Sequence, residues 1–207
     1  HTVKIGKYQF HAKNLVLALG GKPLLADIPG VQLKGVFNSQ TLVENLDYEP
    51  GNTIVVIGGG KSAIEYGCFF NATGRRTLVV ARHQIMPMLK DAESRSYAIL
   101  MMEEQGMEFL ENAEISNIQG DLQGKVKSVS IRTSDGIITI DSDFVFMGLG
   151  EQANSGQIAQ TLSLETEEKG FIKVNRRMQT SIPHVYAVGD VTGSPMEMFK
   201  ARKEGVC

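Results

Sequence analysis

Six consecutive residues, Gly58-Gly59-Gly60-Lys61-Ser62-Ala63, have the form G-x-G-x-x-A. They follow the apolar, β-branched run Thr53-Ile54-Val55-Val56-Ile57 and open a helical stretch from Lys61 to about Asn71. Strand, glycine turn and helix together are the context in which this pattern binds a dinucleotide diphosphate. Gly58 permits the tight turn, Gly60 lets the backbone approach the phosphates, and Ala63 lets the helix pack against the strand. The first N–H groups of the helix, Ser62 among them, and its positive end then face the anion. The plainer reading of the same residues is a strand–helix turn with no ligand.

The end of the next strand, Thr77-Leu78-Val79-Val80-Ala81, decides which nucleotide fits. An acidic residue about 20 positions beyond the glycines holds a ribose 2′-hydroxyl, whereas an arginine there suits a 2′-phosphate. Here Arg82, followed by His83, stands 24 residues after Gly58, and no carboxylate follows until Asp91. A guanidinium pairs with phosphate bidentately. The expectation is therefore NADPH rather than NADH, against the alternative that Arg82 is only a solvated cation. Lys90 is a weaker second candidate, and Arg75 and Arg76 are expected to cap the first helix instead.

Two further strand ends carry polar or flexible residues. Asn14-Leu15-Val16-Leu17-Ala18-Leu19 is a buried-strand run that stops at Gly20-Gly21, with Pro23 beyond. Val185-Tyr186-Ala187-Val188 runs into Gly189-Asp190, whose carboxylate is an acceptor suited to a sugar hydroxyl. Ser194-Pro195-Met196-Glu197 then has the order of a helix start, with Ser as cap, Pro in first position and Glu in third. Met198 and Arg202, four apart, share a face of that helix. Taken alone, they read as a packed methionine and a solvated cation.

Between these strand ends the pattern is α/β. Residues 3–10 read as one arm of a hairpin, and residues 24–50 as an extended connection with a short helix near 39–45. Asp91–Gln105 is predicted as a helix burying Ile99, Leu100 and Met102. Short strands are expected near 107–110, 114–118 and 171–174. Val126–Ile131 and Ile137–Ile140 read as a hairpin across Ser134-Asp135-Gly136, and Asp143–Met147 as another buried strand. A β-α-β-α-β order, then a hairpin, then a strand fits a small parallel sheet with an antiparallel excursion.

Composition excludes several classes. The 207 residues are 42% apolar and 21% charged with a net charge of −2, so neither a nucleic-acid nor a membrane-surface partner is expected. No apolar run reaches the ~18 residues of a membrane span. The two cysteines, Cys68 and Cys207, are 139 positions apart and suggest no disulfide framework, so a reducing, cytoplasmic setting is the expectation. No metal site is expected either. The chain begins at His1 and ends at Cys207 inside a helical pattern, which reads as a piece of a longer polypeptide.

With these motifs assembled, the chain resembles the FAD-dependent pyridine nucleotide-disulfide oxidoreductases, the group of dihydrolipoamide dehydrogenase, glutathione reductase and mercuric reductase. The resemblance implies a Rossmann-like NAD(P)-binding domain inserted into a partial FAD-binding domain. Residues 1–50 and 169–207 would belong to the FAD domain, and residues 51–168 to the NADPH domain. It implies FAD contacts from the strand ends at Gly20, Gly189 and Asp190, and a flavin-side position for Lys61 and Glu65. Gly148-Leu149-Gly150-Glu151-Gln152 matches a G-R-x-P region near the nicotinamide, with Glu151 and Ala153 replacing Arg and Pro, so only Gly150 carries over. The redox cysteine pair implied by the family is not among these residues.

A narrower likeness is to its 2-oxopropyl-coenzyme M oxidoreductase/carboxylase branch. It rests on the runs Glu65–Thr77 and Gly193–Lys203. It implies that NADPH reduces FAD, that FAD reduces a cysteine pair which cleaves a thioether, and that Met198 and Arg202 contact a sulfonate thioether substrate such as 2-oxopropyl-coenzyme M. It also implies a homodimer. The alternatives are a generic NAD(P)H-dependent disulfide or mercuric-type reductase, and a non-catalytic nucleotide-binding module.

Overall fold

The computed structural model describes residues 2–206. In chain order its elements are β1 (Thr2–Ile5), β2 (Tyr8–His11), β3 (Leu15–Leu17), β4 (Gly21–Pro23), β5 (Val36–Phe37), α1 (Ser39–Val43), β6 (Thr53–Ile57), α2 (Lys61–Ala72), β7 (Arg76–Val80), α3 (Ala92–Glu104), β8 (Met107–Leu110), β9 (Glu114–Gly120), β10 (Val126–Thr133), β11 (Gly136–Asp141), β12 (Phe144–Met147), β13 (Glu151–Ala153), α4 (Gly156–Leu162), β14 (Val185–Ala187) and α5 (Met198–Glu204). The chain folds into two compact units, residues 23–150 and residues 1–22 with 151–207.

The unit of residues 23–150 is built on a five-stranded sheet in the order β5-β12-β6-β7-β8, with all pairs parallel. A parallel sheet covered on both faces has strands that are apolar throughout, which is why Thr53–Ile57 reads as an unbroken apolar run. Alternate residues divide between two cores. Ile54, Val56 and Val79 join Phe70, Phe144 and Phe146 under α2, while Val55, Ile57 and Val80 meet Ile115, Val129 and Ile131. The second set comes from an antiparallel sheet, β11-β10-β9, so the predicted hairpin acquires β9 as a third strand.

The unit formed by residues 1–22 and 151–207 holds the parallel pair β14–β3, the pair β13–β4 and the hairpin β1–β2. Its core gathers Leu17, Ala153, Leu164, Ile172, Val185, Ala187 and Val191. The α/β class and the parallel sheet with its antiparallel excursion are as expected.

Several local expectations differ from the structure. Residues 24–50 are not a mere connection: Val36-Phe37 adds an edge strand to the parallel sheet, and Phe37 stacks on Phe144 at 5.2 Å. The compact units divide at 22/23 and 150/151. Leu100 is exposed on α3 while Ile99 and Met102 pack inward, because adjacent helix positions point about 100° apart. Phe171–Val174 is not a strand: only Ile172 bridges, to Thr166, and its buried side chain serves the core without a ladder. α5 begins at Met198 with Glu197 as cap, not at Ser194-Pro195, and Met196 instead packs its methyl over Gly21.

Candidate functional site

The carboxyl ends of β6, β7 and β12 come together because the three strands are parallel and in register. At that edge Gly58 donates its N–H to Val80 O at 2.8 Å, and Gly148 donates to Ile57 O at 2.8 Å. Gly58 has φ +123°, and an added Cβ would overlap the carbonyl oxygen of Gly148. Neither L side chains nor a wider turn fit there, which is the role expected of the first glycine. Ala63 is fully buried against this turn, its Cβ within 2.8 Å of where a Cβ on Gly148 would sit.

Gly60 differs. It caps α2 with no side-chain acceptor, its φ is ordinary at −81°, and a Cβ on it would meet nothing within 4 Å. The space above it belongs to a cleft of about 780 Å³ lined by Gly58, Gly59, Gly60, Arg82, His83, Glu114, Gly148 and Gly150, with Leu24–Ile28 along one wall. Backbone free of side chains, the start of a three-turn helix and a cation on the rim form a donor set that fits a dinucleotide diphosphate. Lys61 and Glu65 are exposed, one turn apart on α2, with Nζ to Oε1 at 4.0 Å.

Arg82 is held by its backbone neighbours. Ala81 donates to Leu110 O, Ala113 donates to Ala81 O, and Asn112 donates to His83 O. Beyond them, Glu111 accepts the Ile85 N–H at 2.5 Å and lies 3.3 Å from Arg95, so the segment after Arg82 is pinned around the fully buried Ile85. Lys90 does not line the cleft. Arg75 binds Gly51 O and the Thr73 hydroxyl at the end of α2, and Arg76 makes a two-point pair with Glu108.

In the other unit the parallel pairing of β3 with β14 aligns Leu17 with Ala187, so the loops that follow leave side by side. Gly20 and Gly189 have φ of +69° and +80°, and a Cβ on Gly20 would find open space. Gly189-Asp190 is fixed from behind: Glu204 accepts the Gly189 N–H at 2.7 Å, and Lys200 donates to Gly189 O at 3.1 Å, to the Thr192 hydroxyl at 2.8 Å and to Gly193 O at 3.0 Å. Asp190 is half-buried, and burial together with the Asp190 charge raises the Glu151 carboxyl above its usual range. Met198 and Arg202 are both exposed on α5.

The model of one family, "Pyridine nucleotide-disulphide oxidoreductase", matches residues 1–205, nearly the whole chain. The chain belongs to that family. Pyridine nucleotide-disulphide oxidoreductases use FAD and NAD(P)H. A dihydrolipoyl dehydrogenase of Acholeplasma laidlawii is 31% identical over the whole of this chain and 60% of its own length. A trypanothione reductase of Trypanosoma congolense is 28% identical over 96% of the chain and 40% of its length. The chain thus spans between two-fifths and three-fifths of these curated relatives. The HOCl-induced flavoprotein disulfide reductase RclA of Escherichia coli has the same fold, with a TM-score of 0.84–0.85 at 20% identity over 98–99% of this chain and 45–46% of its own.

For a pyridine nucleotide-disulphide oxidoreductase, the structure adds Glu114 and Lys200, to which the sequence assigned no role. Glu114 puts a carboxylate beside Arg82, Oε1 to Nη1 at 3.7 Å, although no acidic residue lies near Arg82 in sequence. Only its place at the head of a strand following β8 hinted at it. Lys200, which in sequence only adds to a basic segment with Lys203, is an internal tie. Cys68 touches the sulfurs of Met102 and Met107 at 3.8 Å, and burial raises its thiol pKa, so it is a packing residue. Among the described residues no group of three or more His, Cys, Asp or Glu is placed to hold a metal, and no helix is long and apolar enough to cross a membrane.

Proposed function

We propose that this chain supplies the nicotinamide-nucleotide site, and one part of the flavin site, of an NADPH-dependent flavoprotein disulfide reductase. The observation that carries the reading is the open space over Gly60 at the head of α2, in a cleft with Arg82 on its rim. Residues 23–150 are the nucleotide-binding part in this reading. The backbone around Gly58–Ala63 holds the diphosphate, and Arg82 with His83 holds the adenosine end. Gly150 lies toward the nicotinamide. Residues 1–22 and 151–207 offer Gly20, Gly189 and Asp190 to the flavin's sugar-alcohol chain. Bound FAD supplies the relay of an electron pair from NADPH to a disulfide. The family's own description as disulphide oxidoreductases favours this class over others, and its members are dimeric enzymes with small-molecule substrates, which supports a homodimer for the complete protein.

A second reading is the thioether-cleaving branch acting on a sulfonate such as 2-oxopropyl-coenzyme M. It rests on Met198 and Arg202, which α5 presents to solvent one turn apart, where a guanidinium can receive an oxyanion. The complete protein decides between them when assayed with NADPH against a panel of disulfides and against 2-oxopropyl-coenzyme M. Turnover of a disulfide alone supports the first reading, turnover of the thioether the second, and failure of NADPH to bleach the flavin removes both.

A further inference from the structure

We infer that Glu114 and Arg132 belong to the coenzyme-selecting apparatus, Arg132 as a second cation for a 2′-phosphate and Glu114 as the internal anion that this phosphate displaces. The inference rests on the reading of Arg82 as the 2′-phosphate residue and extends it to two residues carried by the antiparallel sheet.

One carboxylate lies between two guanidinium groups. Glu114 Oε1 is 3.7 Å from Arg82 Nη1, and Glu114 Oε2 is 3.9 Å from Arg132 Nη1. The arrangement follows from strand register. Glu114 opens β9 directly opposite Arg132 of β10, while Ala113, one residue earlier, is hydrogen-bonded to Ala81, one residue before Arg82. The backbone therefore brings all three side chains to one rim of the cleft that Arg82 and Glu114 line.

The magnitudes decide what the cluster is for. Both contacts are longer than the ~2.7–2.9 Å of a strong charge-assisted hydrogen bond. The side chains of Arg82, Glu114 and Arg132 are 69%, 48% and 63% exposed, so each pair adds little to stability. Such a cluster is a poor structural clamp. It is well suited to exchange: two cations around one monoanion leave a positive surplus, and a phosphate monoester brings a charge of about −1.5 to −2 with three acceptor oxygens. The phosphate takes both guanidinium groups from Glu114. A nucleotide with a free 2′-hydroxyl brings no such charge and meets Glu114 as a hydrogen-bond acceptor. Glu114 thereby lowers the advantage of the phosphorylated nucleotide, and Arg132 raises it.

The test is calorimetric titration of the complete flavoprotein with adenosine 2′,5′-bisphosphate and with adenosine 5′-monophosphate, whose difference isolates the 2′-phosphate. All three side chains are exposed, so the variants keep the fold. Arg132→Ala weakens bisphosphate binding about fivefold and leaves monophosphate binding unchanged, while Glu114→Gln tightens bisphosphate binding several-fold, on the scale of one exposed charge pair. If Arg82→Ala selectively loses the bisphosphate but Arg132→Ala and Glu114→Gln do not alter the preference, the inference fails and the reading of Arg82 stands. If Arg82→Ala also leaves the preference intact, both fall.

Discussion

Gly58 and Gly148 face each other across the ends of β6 and β12 so closely that a side-chain carbon on Gly58 would overlap the Gly148 carbonyl oxygen. Gly60, two residues on, has nothing within 4 Å of the same position. In the proposed site the two glycines therefore separate folding from binding. Gly58→Ala, at φ +123°, is expected to destabilise the protein by about 1–3 kcal/mol. Gly60→Ala keeps the melting temperature and loses nucleotide affinity by at least tenfold, because the methyl stands where the diphosphate approaches. Thermal melts with parallel NADPH titrations check the contrast. Equal loss of stability in both variants would remove Gly60 from the site.

Arg82→Ala in the complete enzyme raises KM for NADPH about tenfold and leaves that for NADH unchanged, a loss of about 1.4 kcal/mol confined to the 2′-phosphate. Steady-state kinetics with both coenzymes read this directly. An equal effect on both would place Arg82 on the shared part of the nucleotide.

Lys200 and Glu204 are only 15% and 14% exposed and lie 3.1 Å apart, with Glu204 also holding the Gly189 amide. Removing one partner strands the other in a site with little water. Lys200→Met should cost about 2–3 kcal/mol in urea unfolding and speed release of FAD from the complete protein. Arg202→Ala, on the exposed face of the same helix, should do neither.

Glu151 gives a pH-dependent signature. Burial first, and the neighbouring Asp190 charge second, raise its carboxyl above the ordinary carboxylate range. A carboxyl whose folded pKa is raised binds its proton more tightly in the native state. Its favourable contribution is complete below the unfolded value and is lost as pH rises through the folded one. Glu151→Gln removes this dependence, so the variant gains stability relative to the parent as pH rises through and above the usual carboxylate range. Urea melts across that range check the sign. A difference that shrinks with rising pH would show that Glu151 is stabilised as the anion.

How much was legible follows from how local each signal is. The strand Thr53–Ile57, its glycine turn and the helix from Lys61 were readable because turn, cap and packing requirements act within a few residues. Asp91 at the head of α3 was readable for the same reason, its carboxylate accepting the Ser94 N–H at 2.7 Å. The α5 start was misread because Ser194-Pro195 has the right local order, yet Met196 is drawn onto Gly21, a residue far away in the chain.

The sequence by itself determined that a parallel α/β unit presents a side-chain-free glycine turn at the head of a helix, since hydrophobic period, glycine freedom and helix polarity are properties of consecutive residues. Only the tertiary structure decided what surrounds that turn. It put Val36-Phe37 into the same sheet and placed Glu114 between Arg82 and Arg132; in the other unit it turned Lys200 inward. Those neighbours are set by strand register and by pairings across tens of residues, and a one-residue shift in register would send each side chain to the opposite face.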